Sequence, residues 1–82
     1  MNFMEVFIMS KVKELTVYER LNEARREKNV SMTELALCCD VTVQALYSIR
    51  HKRPSANLSA KIVYQLDNLT LRDLRLAPIH NK

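Results

Sequence analysis

The stretch Ser31–Arg53, SMTELALCCDVTVQALYSIRHKR, decides the fold because its pattern predicts two short helices joined by a tight turn. Small and apolar residues recur where two crossing helices must touch, and the positions between them on the second helix are left to face outward. The inward positions are Leu35, Ala36, Cys39, Val41, Leu46 and Ile49. This layout is typical of a helix-turn-helix, whose second helix enters the major groove of DNA.

Capping residues predict where the helices begin on either side of this stretch. In a capping box, a Ser or Thr side chain and an acidic side chain three residues later satisfy each other's backbone amides. The sequence has three such pairs, Thr16 with Glu19, Ser31 with Glu34, and Thr70 with Asp73. Thr42 is a good cap for the third helix, and Ser55 or Asn57 for the fourth. The predicted helices are 17–28, 32–39, 43–51, 58–67 and 71–76.

The ends of these helices are also readable in the sequence. Asn29 and Asp40 are residue types that tolerate the left-handed conformation at a helix end. Pro54 ends the third helix, because proline cannot continue the helical hydrogen bonding. Asn68 is the expected stop of the fourth helix, and Pro78 follows the fifth.

Length and composition favour a single small all-helical domain. The chain has 82 residues, no glycine and only two prolines, and hairpins and bulges normally need glycine. Its 48% hydrophobic and 27% charged residues are typical of a globular chain. We therefore predict a compact five-helix, all-α domain at 16–77, an N-terminal extension or arm at 1–15, and a C-terminal tail at 78–82. Whether 1–15 is an extension, with Met9 as the natural start, or an ordered arm stays open.

Positive charge is concentrated after the turn of the helix pair. The net charge is +4, and residues 41–66 contain Arg50, Lys52, Arg53 and Lys61 but no acidic residue. Such a distribution favours a polyanionic partner. The adjacent Cys38 and Cys39 form neither a CxxC pair nor a zinc motif, which fits a reducing, cytoplasmic location. No signal peptide or membrane span is predicted, because the apolar start is short and carries Glu5.

Enzyme chemistry has little support in this sequence. His51 and His80 are far apart in the chain, and we find no carboxylate pair, nucleophile with a base, metal cluster or phosphate-binding loop. We therefore predict no catalytic residue, no cofactor, no bound metal and no small-molecule substrate. RNA binding is also disfavoured, since the aromatic sheet and GxxG loop of common RNA-binding modules are missing.

From Leu21 to about Arg75 the chain resembles the Cro and repressor class of phage and bacterial transcription regulators. The match runs through LNEARREKNVSMTELALCCDVTVQALYSIRHKRP at 21–54. The closing NLSAKIVYQLDNLTLRDLRLAP at 57–78 is similar to the end of small Cro-like and YdaS-like prophage regulators. Asp40 stands where the family usually has glycine, and Leu76 where it often has proline. The resemblance implies a lambda-repressor-like fold and a nucleoid-associated repressor.

The outward face of the third predicted helix supplies the candidate DNA contacts. Glutamine can make paired hydrogen bonds to adenine, hydroxyls can bond base edges, and valine can contact a thymine methyl. The predicted base-reading residues are Thr42, Val43, Gln44, Tyr47 and Ser48. Basic side chains and helix starts bind phosphate without sequence preference. The predicted phosphate contacts are Thr33, Arg50, His51, Lys52 and Arg53.

The leucine-rich end of the chain has two open interpretations. Leu69, Leu71, Leu74 and Leu76 are either a dimer face, which would make the chain a homodimer on a near-palindromic operator in double-stranded DNA, or residues that close the core. The alternative function is a protein-interaction module or antitoxin-like partner, which would act through the apolar terminal segments 3–9 and 69–79. DNA binding should weaken steeply with salt, whereas an apolar interface should not.

Overall fold

In a computed structural model, which describes residues 15–80, the chain is all-helical, and no strand occurs in that range. This confirms the predicted all-α class and the number of α-helices. A short 3₁₀ segment, Ser48–Arg50, continues the third helix. The helices are α1 Val17–Glu27, α2 Met32–Cys39, α3 Val43–Tyr47, α4 Ala56–Gln65 and α5 Leu71–Leu76.

The three predicted capping boxes are all formed. At the start of α1, the Glu19 amide donates to Thr16 Oγ1 at 3.1 Å, and the Thr16 amide donates to Glu19 Oε1 at 2.9 Å. The same reciprocal pairs begin α2 and α5. Each box satisfies two amide groups that a helix start otherwise leaves without a partner. These local hydrogen bonds explain why the three starts were predictable to the residue.

Both predicted left-handed residues are also confirmed, and they end α1 and α2 in the same way. Asn29 has φ 61° and Asp40 has φ 58°. The amide after each one bonds the carbonyl five residues back, at 3.0 Å for both Val30 and Val41. This is the Schellman pattern of helix ends. Asp40 therefore performs in the turn between α2 and α3 the role that glycine usually has.

The third and fourth helices differ from their predicted bounds. The third was predicted as one helix over 43–51, but α3 ends at Tyr47 and tightens into the 3₁₀ segment, after which two amides share the Ser48 carbonyl. The fourth was predicted at 58–67, but Ser55 caps it and α4 covers Ala56–Gln65. Asn68 does not stop α4; its side chain donates to the Ala24 carbonyl at 3.1 Å instead.

One core lies between all five helices. Its completely buried members include Leu21 of α1, Leu35 of α2, Leu46 of α3 and Ile62 of α4. The remaining buried apolar side chains are those of Val17, Ala24, Met32, Ala36, Cys39, Ile49, Leu66, Leu69, Leu74 and Ala77. Cys39, one of the predicted inward positions, is buried, whereas the adjacent Cys38 is exposed.

The C-terminal leucines are divided between the core and the surface. Leu69 and Leu74 are buried, so they close the core and cannot belong to a dimer face of the folded domain. Leu71 and Leu76 are 45% and 65% exposed. The prediction of all four as one dimer face is therefore wrong for Leu69 and Leu74, because α5 turns Leu74 toward the other helices and Leu69, which precedes α5, is buried as well.

The two ends of the helical body meet. The Val17 amide, at the start of α1, donates to the Pro78 carbonyl at 2.9 Å, and Ile79 packs against the core. The packed body thus reaches into the segment that was predicted as a tail. Apart from the partly buried Leu15, the predicted extension or arm lies outside the described residues.

Candidate nucleic-acid interface

The exposed side of α3 presents three of the predicted base-reading residues. Leu46 and Ile49 are buried on the opposite side and fix the helix to the core. Thr42 and Gln44 are exposed at its beginning, and Tyr47 is 39% exposed at its end. A surface of polar side chains on a short, well-anchored helix is what direct reading of base edges needs.

The side chains of Thr42 and Gln44 keep hydrogen-bonding capacity for a ligand. Thr42 Oγ1 accepts from the Ala45 amide at 3.2 Å, which leaves the hydroxyl proton free to donate. Gln44 makes no side-chain hydrogen bond to the residues that the structure describes. Its amide can therefore use both its donor and its acceptor at once, as pairing with adenine requires.

Val43 and Ser48 are less available than the sequence suggested. Val43 is half-buried and packs against the core. Ser48 is also half-buried, and its hydroxyl donates to the Ala45 carbonyl at 2.7 Å. Ser48 can still accept a hydrogen bond, but its proton is already used. Sequence spacing placed both residues on the outward face, and it could not show the packing of Val43 on the core or the hydrogen bond of Ser48 to the Ala45 carbonyl.

The predicted phosphate contacts fall into different environments. His51 and Lys52 are exposed directly after the 3₁₀ segment, and Thr33 is exposed in the first turn of α2. Arg53 is exposed too, but its Nη1 donates to the Leu74 carbonyl at 2.9 Å. Arg53 therefore also ties the end of α3 to α5, a long-range role that no sequence pattern indicated.

Arg50 lies against two aromatic rings. Its guanidinium carbon is 4.8 Å from the ring centre of Tyr18 on α1 and 5.6 Å from that of Tyr47 on α3. The two ring centres are 6.5 Å apart. Both distances from Arg50 are within the range of cation–π attraction. Sequence reasoning missed Tyr18, because nothing in the first helix signals contact with a residue 32 positions later.

A cleft of about 380 Å³ separates the end of α3 from the start of α4. Lys52 and Arg53 stand beside it, together with Ser55, which caps α4. His80 lies near His51, which precedes Lys52 in the chain, and the two ring centres are 6.5 Å apart. The two histidines were far apart in the sequence, and the fold adds the second one to the basic surface.

Lys61 is separate from this basic surface. It lines a different groove, between α2 and α4, together with Asp40 and Tyr64. Burial raises the pKa of the nearby Cys39 thiol; the adjacent Cys38 also raises it, and the charge of Lys61 opposes them. The positive segment 41–66 is therefore not one continuous surface. Arg50, His51, Lys52 and Arg53 belong to the α3 side, whereas Lys61 belongs to the α2–α4 side.

No family model matches this chain, and comparison with the curated proteins and the solved structures found no match either. The resemblance to the Cro and repressor class therefore stays a prediction from the residues. Within residues 15–80, no three His, Cys, Asp or Glu side chains come together to hold a metal ion. No helix in that range has both the length and the apolar character needed to cross a bilayer.

Proposed function

We propose that this chain is a sequence-specific DNA-binding transcription regulator with a lambda-repressor-like helix-turn-helix formed by α2 and α3. The observation that carries the proposal is the exposed Gln44. It has an unused side-chain amide, stands beside the capping Thr42, and lies on a helix that Leu46 fixes to the core. A basic segment follows that helix directly.

In this mechanism α3 lies in the major groove and Gln44 bonds the N6 and N7 atoms of an adenine. Thr42 donates its hydroxyl proton to a base edge or a phosphate, and Val43 offers its exposed part to a thymine methyl. His51, Lys52 and Arg53 neutralise phosphates on the adjoining backbone. These contacts supply affinity and register, whereas the α3 side chains supply the sequence preference.

The proposed form on DNA is a homodimer that acts as a Cro-type repressor on a near-palindromic operator. Half-sites would then be about 34 Å apart, so that two copies of α3 meet successive turns of the major groove on one side of the duplex. The exposed Leu71 and Leu76 on α5 are the apolar residues available for the contact between the two copies. Leu69 and Leu74 are not, because they lie in the core.

The test is a mobility-shift titration on the upstream intergenic DNA of the encoding gene, in excess competitor DNA and over a salt series. Gln44→Ala should weaken the discrete complex by about 1–3 kcal/mol and leave binding to competitor DNA unchanged. Asn57→Ala is a matched control, since Asn57 is an exposed amide in the first turn of α4, outside the proposed reading helix.

Each other outcome has a definite meaning. Equal binding of the wild type and Gln44→Ala to every sequence would leave a basic surface without base reading. No binding to any duplex would refute the DNA-binding proposal. It would favour the second candidate, a protein-interaction module, for which the exposed Leu71 and Leu76 are the supporting observation. The apolar segment 3–9, which that hypothesis also uses, lies outside the described residues.

A further inference from the structure

The Arg50 guanidinium rests against two tyrosine rings without a hydrogen bond to either of them. Its carbon lies over the Tyr18 ring at 4.8 Å and near the Tyr47 ring at 5.6 Å. Arg50 is exposed and makes no hydrogen bond or ion pair with the residues described. The five N–H donors of arginine lie in the plane of the group. These donors are therefore unused among the described residues, although the group itself rests against two rings.

The two tyrosines differ in how firmly they are held themselves. Tyr18 is half-buried on α1 and packs against the core, close to the capping box at Thr16. Tyr47 is at the end of α3, more exposed, and belongs to the proposed reading surface. Tyr18 is thus a fixed support on α1, outside the helix pair of α2 and α3. The Arg50 side chain, which follows α3, rests against it.

This support matters because free arginine side chains are flexible. An unsupported arginine loses much rotamer freedom when it binds a phosphate, whereas one already held in a single orientation loses less. A guanidinium whose in-plane donors are free is also suited to bidentate bonding of phosphate oxygens. The contact therefore combines a supported guanidinium with unused hydrogen-bond donors.

We propose that Tyr18 is a positioning residue, which holds Arg50 in the orientation that binds a DNA phosphate next to α3. This inference rests on the proposed function and adds a contribution from α1, outside the helix pair that resembles the helix-turn-helix. The competing explanation is that Arg50 and Tyr18 only fasten the 3₁₀ segment to α1. That explanation predicts an effect on folding stability and no coupling in DNA binding.

The test is a double-mutant cycle with Tyr18→Leu and Arg50→Gln, measured as the affinity for a duplex over a salt series. Arg50→Gln should reduce the slope of log K against log salt by about one phosphate contact. Tyr18→Leu should weaken binding by about two- to fivefold when Arg50 is present, the size of an exposed cation–π contact, and should have no effect in the Arg50→Gln background.

Tyr18→Phe is the matched variant, because it keeps the ring face and removes only the hydroxyl. It should bind DNA as the wild type does. Thermal unfolding of each variant, followed by circular dichroism, shows whether a loss of binding reflects loss of the fold. The cycle keeps the test valid if Tyr18→Leu lowers stability, because a general folding effect would appear equally in both Arg50 backgrounds.

The outcomes of this test distinguish a failure of the positioning role from a failure of the proposed function. An equal loss in both backgrounds, or a drop in melting temperature with unchanged affinity, would overturn the positioning role and leave DNA binding standing. An Arg50→Gln variant with an unchanged salt slope would likewise show that Arg50 binds no phosphate. If the wild type binds no duplex at any salt concentration, the proposed function itself fails, and the positioning role fails with it.

Discussion

At the scale of single residues, the turn between α2 and α3 depends on Asp40. Its φ of 58° is in the left-handed region, where a residue with a Cβ atom is strained and where Asp is tolerated better than most. The Val41 amide bonds the Ala36 carbonyl only because the backbone turns at this point. The orientation of α3 therefore depends on a residue that itself contacts no proposed ligand.

We expect Asp40→Gly to be more stable than Asp40→Ala by about 1 kcal/mol, because glycine has no Cβ penalty at positive φ. Urea unfolding of the two variants measures the difference. Glu23, an exposed residue inside α1, provides the opposite case. There, inside a regular helix, Glu23→Ala should be more stable than Glu23→Gly by about 0.5–1 kcal/mol. The same order at both positions would show that Asp40 does not carry the left-handed turn.

The two cysteines should react very differently with a thiol reagent. Cys39 is buried and its pKa is raised, so at pH 8 its reactive thiolate is scarce and also shielded. Cys38 is exposed, and we expect it alone to be labelled in the folded chain by a chromogenic disulfide reagent, with Cys39 following only on unfolding. Rapid labelling of two thiols in the folded wild type, or of the one remaining thiol in folded Cys38→Ser, would contradict this.

The raised pKa of Cys39 also gives a stability effect with a definite sign. The folded state binds the thiol proton more tightly than the unfolded state does. The free energy of unfolding therefore falls as pH rises above the pKa of the thiol in the unfolded chain, about 8.5. We expect this fall to be smaller in Cys39→Ala than in the wild type. Unfolding free energies from urea titrations at pH 7 and pH 10 give the comparison, and an equal fall in the two chains would contradict the prediction.

At the scale of elements, the segment that follows α3 is attached to two other helices. Arg50 lies over Tyr18 of α1, and Arg53 donates to the Leu74 carbonyl of α5. The 3₁₀ segment and the loop after it are thus held from both sides. The basic segment, for which the sequence indicated only phosphate contacts, is therefore also part of what keeps α3 in place.

We expect Arg53→Ala to lower the free energy of unfolding by about 1 kcal/mol, since it removes one hydrogen bond that joins two elements. Lys52→Ala should change stability by less than about 0.5 kcal/mol, because the Lys52 side chain is exposed and makes no hydrogen bond or ion pair with the described residues. Both should weaken DNA binding at low salt. Equal stabilities in chemical denaturation would mean that the bond to Leu74 contributes nothing.

The elements show which parts of a fold can be read from sequence. The starts of α1, α2 and α5 were predictable because each capping box lies within four residues, and the left-handed ends at Asn29 and Asp40 depend on one residue each. The end of α3 was not, because the 3₁₀ tightening arises where the chain packs on α1. Asn68 was misassigned for the same reason, since its partner is the Ala24 carbonyl on α1.

At the scale of the whole molecule, a small core determines which surface remains for partners. Leu74 is completely buried and Leu76 is 65% exposed, although they are two positions apart on the same short helix. The proposed site was likewise predictable only in part. Gln44 and Thr42 follow from helical spacing, whereas the contacts of Arg50 with Tyr18 and of His51 with His80 join distant parts of the chain. Periodicity carries no information on such contacts.

We expect Leu74→Ala to cost about 2–5 kcal/mol of stability, because it leaves a cavity in the core. Leu76→Ala should cost less than about 0.5 kcal/mol. Equilibrium unfolding at a low protein concentration, where any dimer is dissociated, gives both values. If the two variants lost the same stability at that concentration, the assignment of Leu74 to the core and of Leu76 to the surface would be wrong.

The hydrogen bond from Val17 to Pro78 makes the helical body almost a closed ring. Because Val17 and Pro78 are hydrogen-bonded neighbours, a short peptide could join the two ends of the described body covalently. Domains with neighbouring termini tolerate insertion and permutation. This helical body could therefore be inserted into a surface loop of another protein, with both junctions on a single side.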